Sequence, residues 1–466
     1  MSAPGIASAC RLWAQDALLP QGWAREVLLQ WDAAGAFTQV ESGVPAPAGV
    51  ERAAGPLLPG MPNVHSHAFQ RAFAGLTEWR GKAPDSFWSW RRRMYAFANR
   101  ITPEALEAIA LWVYLEMLDA GYTSVCEFHY LHHDAGGRPY ADDATMGLAL
   151  LRAAHRAGIG MTLLPVLYQT ASFGVPPAPE QARFIRSTDK LLALVQRLAP
   201  IAQSQGAALG LAPHSLRAVP PASLGAGVAG LHALLPKAPV HIHVAEQRQE
   251  VRDCIAWSGQ PPAQWLLDHA PVDARWCLVH ATHMAPGEYA AAARSGAVVG
   301  LCPSTEANLG DGIFDLPRWL RHGGRWGVGS DSQVCVNAAE ELMLLEYGQR
   351  LQRRRRNVLA SAGQRQTATA MVLQAVAGGA QATGRAVAGL QPGQQADFVV
   401  LDAAHIALRG LPAEYALAGH VFASARSSAV QQVWVAGQQR LLPRSHTLRT
   451  RAEAAFERVR WQLLQA

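Results

Sequence analysis

Eight times between residues 55 and 332 the chain repeats one pattern. A short run rich in Val, Leu and Ile is closed by polar residues, and a stretch punctuated like a helix follows. The runs fall at residues 55–65 (GPLLPGMPNVH), 123–130 (TSVCEFHY), 160–168 (GMTLLPVLY), 208–215 (ALGLAPHS), 239–246 (PVHIHVAE), 275–282 (RWCLVHAT), 296–304 (GAVVGLCPS) and 325–332 (RWGVGSDS). Residues 102–121 open with Thr102 as N-cap, Pro103 at the first helical position and Glu104 in the first turn, and they close at Gly121. Residues 141–158 close likewise at Gly158, and 187–203, 261–270 and 285–296 follow the same plan. Strands and helices in alternation pair in parallel through right-handed crossovers. Eight such units over roughly 250–300 residues predict an α/β protein, and a (β/α)8 TIM barrel rather than an open sheet.

The ends of the chain do not fit the repeat. Residues 26–32 (EVLLQWD) and 37–43 (FTQVESG) read as short strands, and 389–405 and 428–442 read as hairpin-like strands with Gly-rich turns. The simplest organisation is a small β-sandwich domain built from both terminal segments, with the barrel inserted between them. The expected divisions are 1–57, 58–388 and 389–466, the last closing in a helix that begins near Arg449.

Composition narrows the function classes. Half of the 466 residues are apolar and 16% are charged, below the ~25% usual for globular chains; a large core is within reach. The net charge of +6 raises the question of a nucleic-acid partner. Only Lys82, Lys190 and Lys237 are lysines, and most arginines are scattered singly. The runs Arg91-Arg92-Arg93 and Arg353 to Arg356 come with no recognition motif, so the sequence argues against nucleic acid. The cysteines Cys10, Cys126, Cys254, Cys277, Cys302 and Cys335 form no CxxC pair, and several sit in apolar runs, as free buried thiols do. The first twenty residues lack the basic-then-apolar plan of a signal peptide, and no apolar run reaches the ~18–20 residues of a membrane span. A cytoplasmic protein with no membrane partner is expected.

In a barrel of this kind the site lies at the C-terminal ends of the strands. The residues there are His65 and His67 on the first run, His129 and Tyr130 on the second, His214 with Arg217 just beyond on the fourth, His243 and Glu246 on the fifth, His280 and His283 on the sixth, and Asp331 on the eighth. Period two places His65 and His67 on one face, where two imidazoles can share one divalent ion. His241 and His243 also share a face; His243 is nearer the strand end, and His241 is the better candidate for a core residue. Glu246 breaks the alternation and belongs to the loop above. Asp331 can complete a metal site and accept a proton from a bound water. His65, His67, His243 and Asp331 make the set of ligands expected for a catalytic zinc, with His280 beside it. Arg217 offers bidentate contacts of the kind a carboxylate needs; a surface arginine is the alternative.

With these residues in view, the chain resembles the amidohydrolase superfamily: the HxH of the first strand, the histidines of the fifth and sixth, the aspartate of the eighth, and the returning segment GLQPGQQADFVVLD. His243-Val-Ala-Glu246 is similar to the HxxE of its deaminase branch. HSHAFQRAFAGL, FHY, APHSLR and HVAEQ resemble more closely the formimidoylglutamate deiminase family within it. That resemblance implies hydrolysis of a formimino group to a formyl group with release of ammonia, in histidine breakdown. It implies one Zn2+ per subunit on His65, His67, His243 and Asp331; some superfamily members hold a second metal on a lysine of the fourth strand, but that strand here reads GLAPHSLR. It implies a dicarboxylate small-molecule substrate met by Gln70, Arg91, Tyr130, His214 and Arg217, with Arg92 or Arg93 as alternatives to Arg91. It further implies a homodimer. Glu246 is then the expected proton shuttle, with Asp331 taking the proton of water and His280 orienting the attacking group.

Overall fold

The computed structural model describes residues 10–82, 84–424, 427–441 and 443–465. Residues 1–9, the start of the expected N-terminal segment and of the stretch weighed as a signal peptide, lie outside the described residues.

All eight runs form strands of one parallel sheet: β1 (Met61–Ser66), β2 (Tyr122–His129), β3 (Gly160–Leu167), β4 in two short pieces (Ala208–Leu209 and Ala212–Pro213), β5 (Val240–Val244), β6 (Trp276–His280), β7 (Val298–Leu301) and β8 (Arg325–Val328). Every residue of β1, β2, β3 and β5 is buried. This is why these strands read as near-continuous apolar runs. Neighbours pair in sequence order from β1 to β4 and from β5 to β8, and β8 returns to β1 through Val328 and Asn63. The seam between β4 and β5 is closed by the parallel bridges Leu211–Val240 and Ser215–His243. The sheet is therefore a ring.

The helices between strands start and stop where their side chains dictate. Thr102 caps Pro103–Asp119 by accepting the Ala105 N–H at 3.2 Å, and Gly158 ends Thr145–Ala157 with φ of 80°, a conformation that favours glycine. Helix Pro303–Leu309 rises from the end of β7, and its first turn is tied to helix Ala338–Arg353: the Ser304 N–H donates to the buried Glu341 at 2.9 Å, and the Ser304 hydroxyl donates as well.

This contact has a pH signature. Burial pushes the Glu341 carboxyl from 4.5 up to about 8, against the pull of the Ser304 donors. Between those values the native chain holds a proton that the unfolded chain has released, so stability falls as pH rises through that window. Glu341→Gln removes the titration. From pH 5 to pH 8 the parent's Tm should fall by about 2 °C more than the variant's; equal falls would show that Glu341 does not titrate in this way.

A second, eight-stranded sheet is made from both ends of the chain. Its order is Gln438–Gln439, Val430–Val435, Phe398–Leu401, Leu57–Pro59, Cys10–Leu19, Gly22–Trp31 and Phe37–Glu41, with Glu51–Arg52 on Cys10–Leu19. Leu12, Val27, Leu29, Trp31, Phe37 and Phe398 pack its apolar face into a core of their own. Trp31 meets Phe398 and Trp434 at centroid distances of 5.8 and 5.6 Å. The terminal helix, Thr447–Gln465, lies against Pro103–Asp119. Among the described residues no helix is long and apolar enough to cross a membrane.

Candidate active site

The ends of β1, β5, β6 and β8 converge at one mouth of the ring. His65 Nε2 faces His243 Nε2 at 3.0 Å and Asp331 Oδ1 at 3.4 Å, and His67 Nε2 lies 3.3 Å from the same oxygen. Backbone carbonyls set two of the imidazoles. His67 Nδ1 is 3.1 Å from the Phe128 carbonyl and His243 Nδ1 is 2.9 Å from that of His214. A carbonyl only accepts, so both Nδ1 atoms carry the proton and both Nε2 lone pairs point inward. Burial drives His65 down to about 3 and lowers His67 and His243 as well, which keeps the rings neutral. Burial alone would raise Asp331, but its hydrogen bond to His65 and the electrostatic attraction of the surrounding imidazoles of His65, His280 and His67 outweigh this and hold it below the usual carboxylate range.

Three neutral nitrogens and one ionised oxygen are what a divalent cation needs. The ligand atoms of His65, His67 and His243 all lie within 4.8 Å of one another, as do those of His65, His280 and Asp331. The donor set fits a zinc-type ion with a position left open to the cavity.

His280 and Glu246 stand beside this cluster. His280 Nε2 is 3.7 Å from Asp331 Oδ2 and 3.9 Å from Glu246 Oε1, and its Nδ1 is 3.2 Å from Glu306 Oε1. Burial works against charging this imidazole, but the Glu306 hydrogen bond and the surrounding carboxylates prevail and raise it to about 10. Glu246 is raised to about 7 by burial, against the pull of His280 and Arg217. Arg217 Nη2 sits 3.7 Å from Glu246 Oε2. The backbone here is held in an unusual state: Ala245, His280, Ala281 and Asp331 have φ of 52°, 66°, 51° and 45°. Such strain in residues other than glycine collects at functional sites.

Two buried glutamates that the sequence reading passed over hold these segments. Glu127, on β2, accepts the Ser66 hydroxyl and the Ala68 N–H, each at 2.7 Å, and so fixes the turn after the HxH. Glu250 accepts the N–H groups of Ala245 and Glu246 at 3.0 and 3.1 Å and lies 3.8 Å from Arg217 Nε. Glu306 is a third, with its carboxylate also accepting the Cys302 N–H at 2.8 Å. Their only sequence signal was an acid in or next to an apolar run.

Above the cluster lies a cavity. Gln70, Arg91, Tyr130, His214 and Arg217 all line it, with His67, His243, Glu246, His280 and Asp331. His65 sits fully buried beneath. Gln70 donates to the Tyr130 hydroxyl at 3.1 Å. The arginine triplet is resolved by helix Phe87–Ala98, which folds over the cavity: Arg91 faces inward over the Trp88 ring at 4.5 Å, Arg92 is exposed, and Arg93 donates to the carbonyls of Thr77 and Trp79. Phe87, Trp90, Met94, Tyr95, Tyr168 and Leu309 also line the cavity and were not singled out from the sequence.

Other strand-end residues go elsewhere. His129 packs against the His132 ring at 5.2 Å and does not line the cavity, and neither does His283. His241 is a core residue bonded to the Ala382 carbonyl at 2.8 Å. Arg71 grips Glu116 with two N–H groups, at 2.7 and 2.6 Å, and reaches the Gln333 carbonyl at 3.0 Å. It ties the turn after β1 to the neighbouring helix and to the loop after β8.

Comparisons with known proteins bear on this arrangement. The family model described as "Amidohydrolase family" matches residues 57–440. Formimidoylglutamate deiminase of Pseudomonas aeruginosa is 50% identical over 454 residues, which span 97% of this chain and 99% of that protein. A solved structure described as an amidohydrolase from Brucella melitensis is 47% identical, with a TM-score of 0.91, covering 97% of this chain and 99% of that one. An adenosine deaminase from Xanthomonas campestris, solved with bound zinc, shares the fold at a TM-score of 0.80 and 21% identity, covering 98% of each chain.

Proposed function

The chain belongs to the amidohydrolase family, and from that premise we propose that it hydrolyses N-formimino-L-glutamate to N-formyl-L-glutamate and ammonia. It is a hydrolase of carbon–nitrogen bonds other than peptide bonds, as its 50% identical relative is. The observation that carries the substrate reading is the pairing of Arg91 and Arg217, with Gln70, Tyr130 and His214, on a cavity whose floor is the His65–His67–His243–Asp331 cluster. A site for two carboxylates needs such fixed cations and donors.

Zinc, one per subunit, is the metal we assign to His65, His67, His243 and Asp331. When bound, it would acidify water and polarise the reacting carbon's substituents. The protein's own groups do the rest. Asp331 Oδ2 and His280 Nε2, 3.7 Å apart, bracket the position of the attacking water; Asp331 takes its proton while the His280 imidazolium stabilises the negative charge that develops. The oxygen adds to the formimino carbon. Glu246, poised at about 7, gives a proton to the terminal nitrogen of the adduct formed from the substrate amidinium; the carbon–nitrogen bond breaks as ammonia leaves, and the added hydroxyl passes its remaining proton to the Glu246 carboxylate as the carbonyl forms. One water is consumed and one carbonyl is formed. We further place the reaction in histidine degradation, in the cytoplasm, in a homodimer.

The test is ammonia release by the zinc-loaded protein. N-formimino-L-glutamate should exceed the formimino-aspartate analogue by about 10²-fold in kcat/KM, with no turnover of nucleobases. Turnover of nucleobases alone would overturn the substrate.

A further inference from the structure

Gln181, in the 3-10 turn Pro179–Phe184 beyond β3, is fully buried. Its Oε1 accepts the Ala178 N–H at 2.8 Å. A backbone N–H can only donate, so this contact decides which end of the amide is the carbonyl. The Nε2 end then faces two tyrosine hydroxyls, Tyr168 at 2.7 Å and Tyr95 at 3.2 Å. An amide nitrogen has only protons to give. Both hydroxyls therefore accept from Gln181, and each keeps its own proton.

The two hydroxyl oxygens are 3.3 Å apart, so one O–H can turn to the other. The second has no acceptor among the described residues and is left for the cavity, which both tyrosines line. Burial holds the Tyr168 phenol well above its ordinary range, so it remains a donor. The pair lies away from the metal cluster: the Tyr168 ring is 4.6 Å from His214, which is 5.0 Å from His243. Arg91 passes 5.6 Å from the Tyr95 ring, and the cavity's carboxylates, Glu246 and Asp331, stand beside His280.

We propose that Tyr95 and Tyr168, with their donors aimed by Gln181, form a carboxylate subsite that grips the side-chain carboxylate of the substrate and so selects its chain length. This rests on the reading of the substrate as a formimino dicarboxylate. That carboxylate is the one farther from the reacting carbon, which matches the position of the pair. Gln181 is a positioning residue: it touches no substrate and acts through the two phenols.

The experiment pairs each enzyme with a substrate that has, and one that lacks, the distal carboxylate. Tyr168→Phe and the Tyr95→Phe/Tyr168→Phe double variant should lose about ten- to a hundredfold in kcat/KM on N-formimino-L-glutamate, mostly through KM, as expected for removing a donor to a charged group. On N-formimino-L-norvaline, of the same length but uncharged at its end, variant and parent should be equal. Gln181→Glu accepts both phenolic protons and should reproduce the loss on the charged substrate alone. Equal losses on both substrates, or none on either, would overturn the subsite. Calorimetric binding of L-glutamate against L-norvaline separates this from the reaction itself. Should the parent release no ammonia from the formimino compound, the functional reading fails, while loss of L-glutamate binding in Tyr168→Phe still supports the subsite and unchanged binding still overturns it.

Discussion

Glu246→Gln should leave the metal cluster intact and lower kcat by about 10²–10⁴-fold, the range that a positioned acid–base group contributes. Glutamine has the size of glutamate and can still accept from Arg217, whose guanidinium lies 3.7 Å away. What it lacks is a proton that can be exchanged near neutral pH, which the parent carboxyl, at about 7, has. The loss should therefore fall on kcat, with KM for N-formimino-L-glutamate moved little. Metal content by atomic emission should equal the parent's, since no nitrogen or oxygen of the His65–His67–His243–Asp331 set is changed. A Glu246→Gln enzyme turning over within tenfold of the parent would remove Glu246 from its role as proton shuttle.

A loss of about 10³-fold or more is expected for Asp331→Asn, and here metal content should fall with activity. Asp331 is the one charged group among the four expected ligands, and it faces His65 and His67 at 3.4 and 3.3 Å. Its carboxylate is held ionised by those same histidines and by His280. The neutral amide weakens the hold on a divalent cation and cannot take a proton from water. Asparagine is the informative replacement because position 331 has φ of 45°, a left-handed conformation that asparagine tolerates well. The variant should keep its circular dichroism spectrum. Full zinc content with parental turnover would show that Asp331 is neither ligand nor base.

The strands and the metal cluster were legible in the sequence for the same reason. A strand buried on both faces must be apolar throughout, so a histidine or aspartate at its end stands out. His65, His67, His243, His280 and Asp331 were found in this way, and they do converge. Adjacency along the chain misled at His129, which points away from the cavity while Tyr130 lines it. Nothing in the sequence foretold the grip of Arg71 on Glu116 either. The helix over the cavity was not legible: nothing in FWSWRRRMYAFA states that Arg91 and Tyr95 will face a site built by other segments. Glu127, Glu250, Glu306 and Gln181 escaped notice because their work is hydrogen bonding to groups that only the tertiary fold brings near.

Strand Leu57–Pro59 pairs on one side with Cys10–Leu19 and on the other with Phe398–Leu401. Every strand of the ring lies between Met61 and Val328, so on the ribosome the ring is complete before the second partner of Leu57–Pro59 exists. At the usual ~5–20 residues per second, that partner is synthesised roughly 20–70 s after the strand it completes. The catalytic mouth can thus assemble while one edge of the terminal sheet is still open to the surrounding proteins.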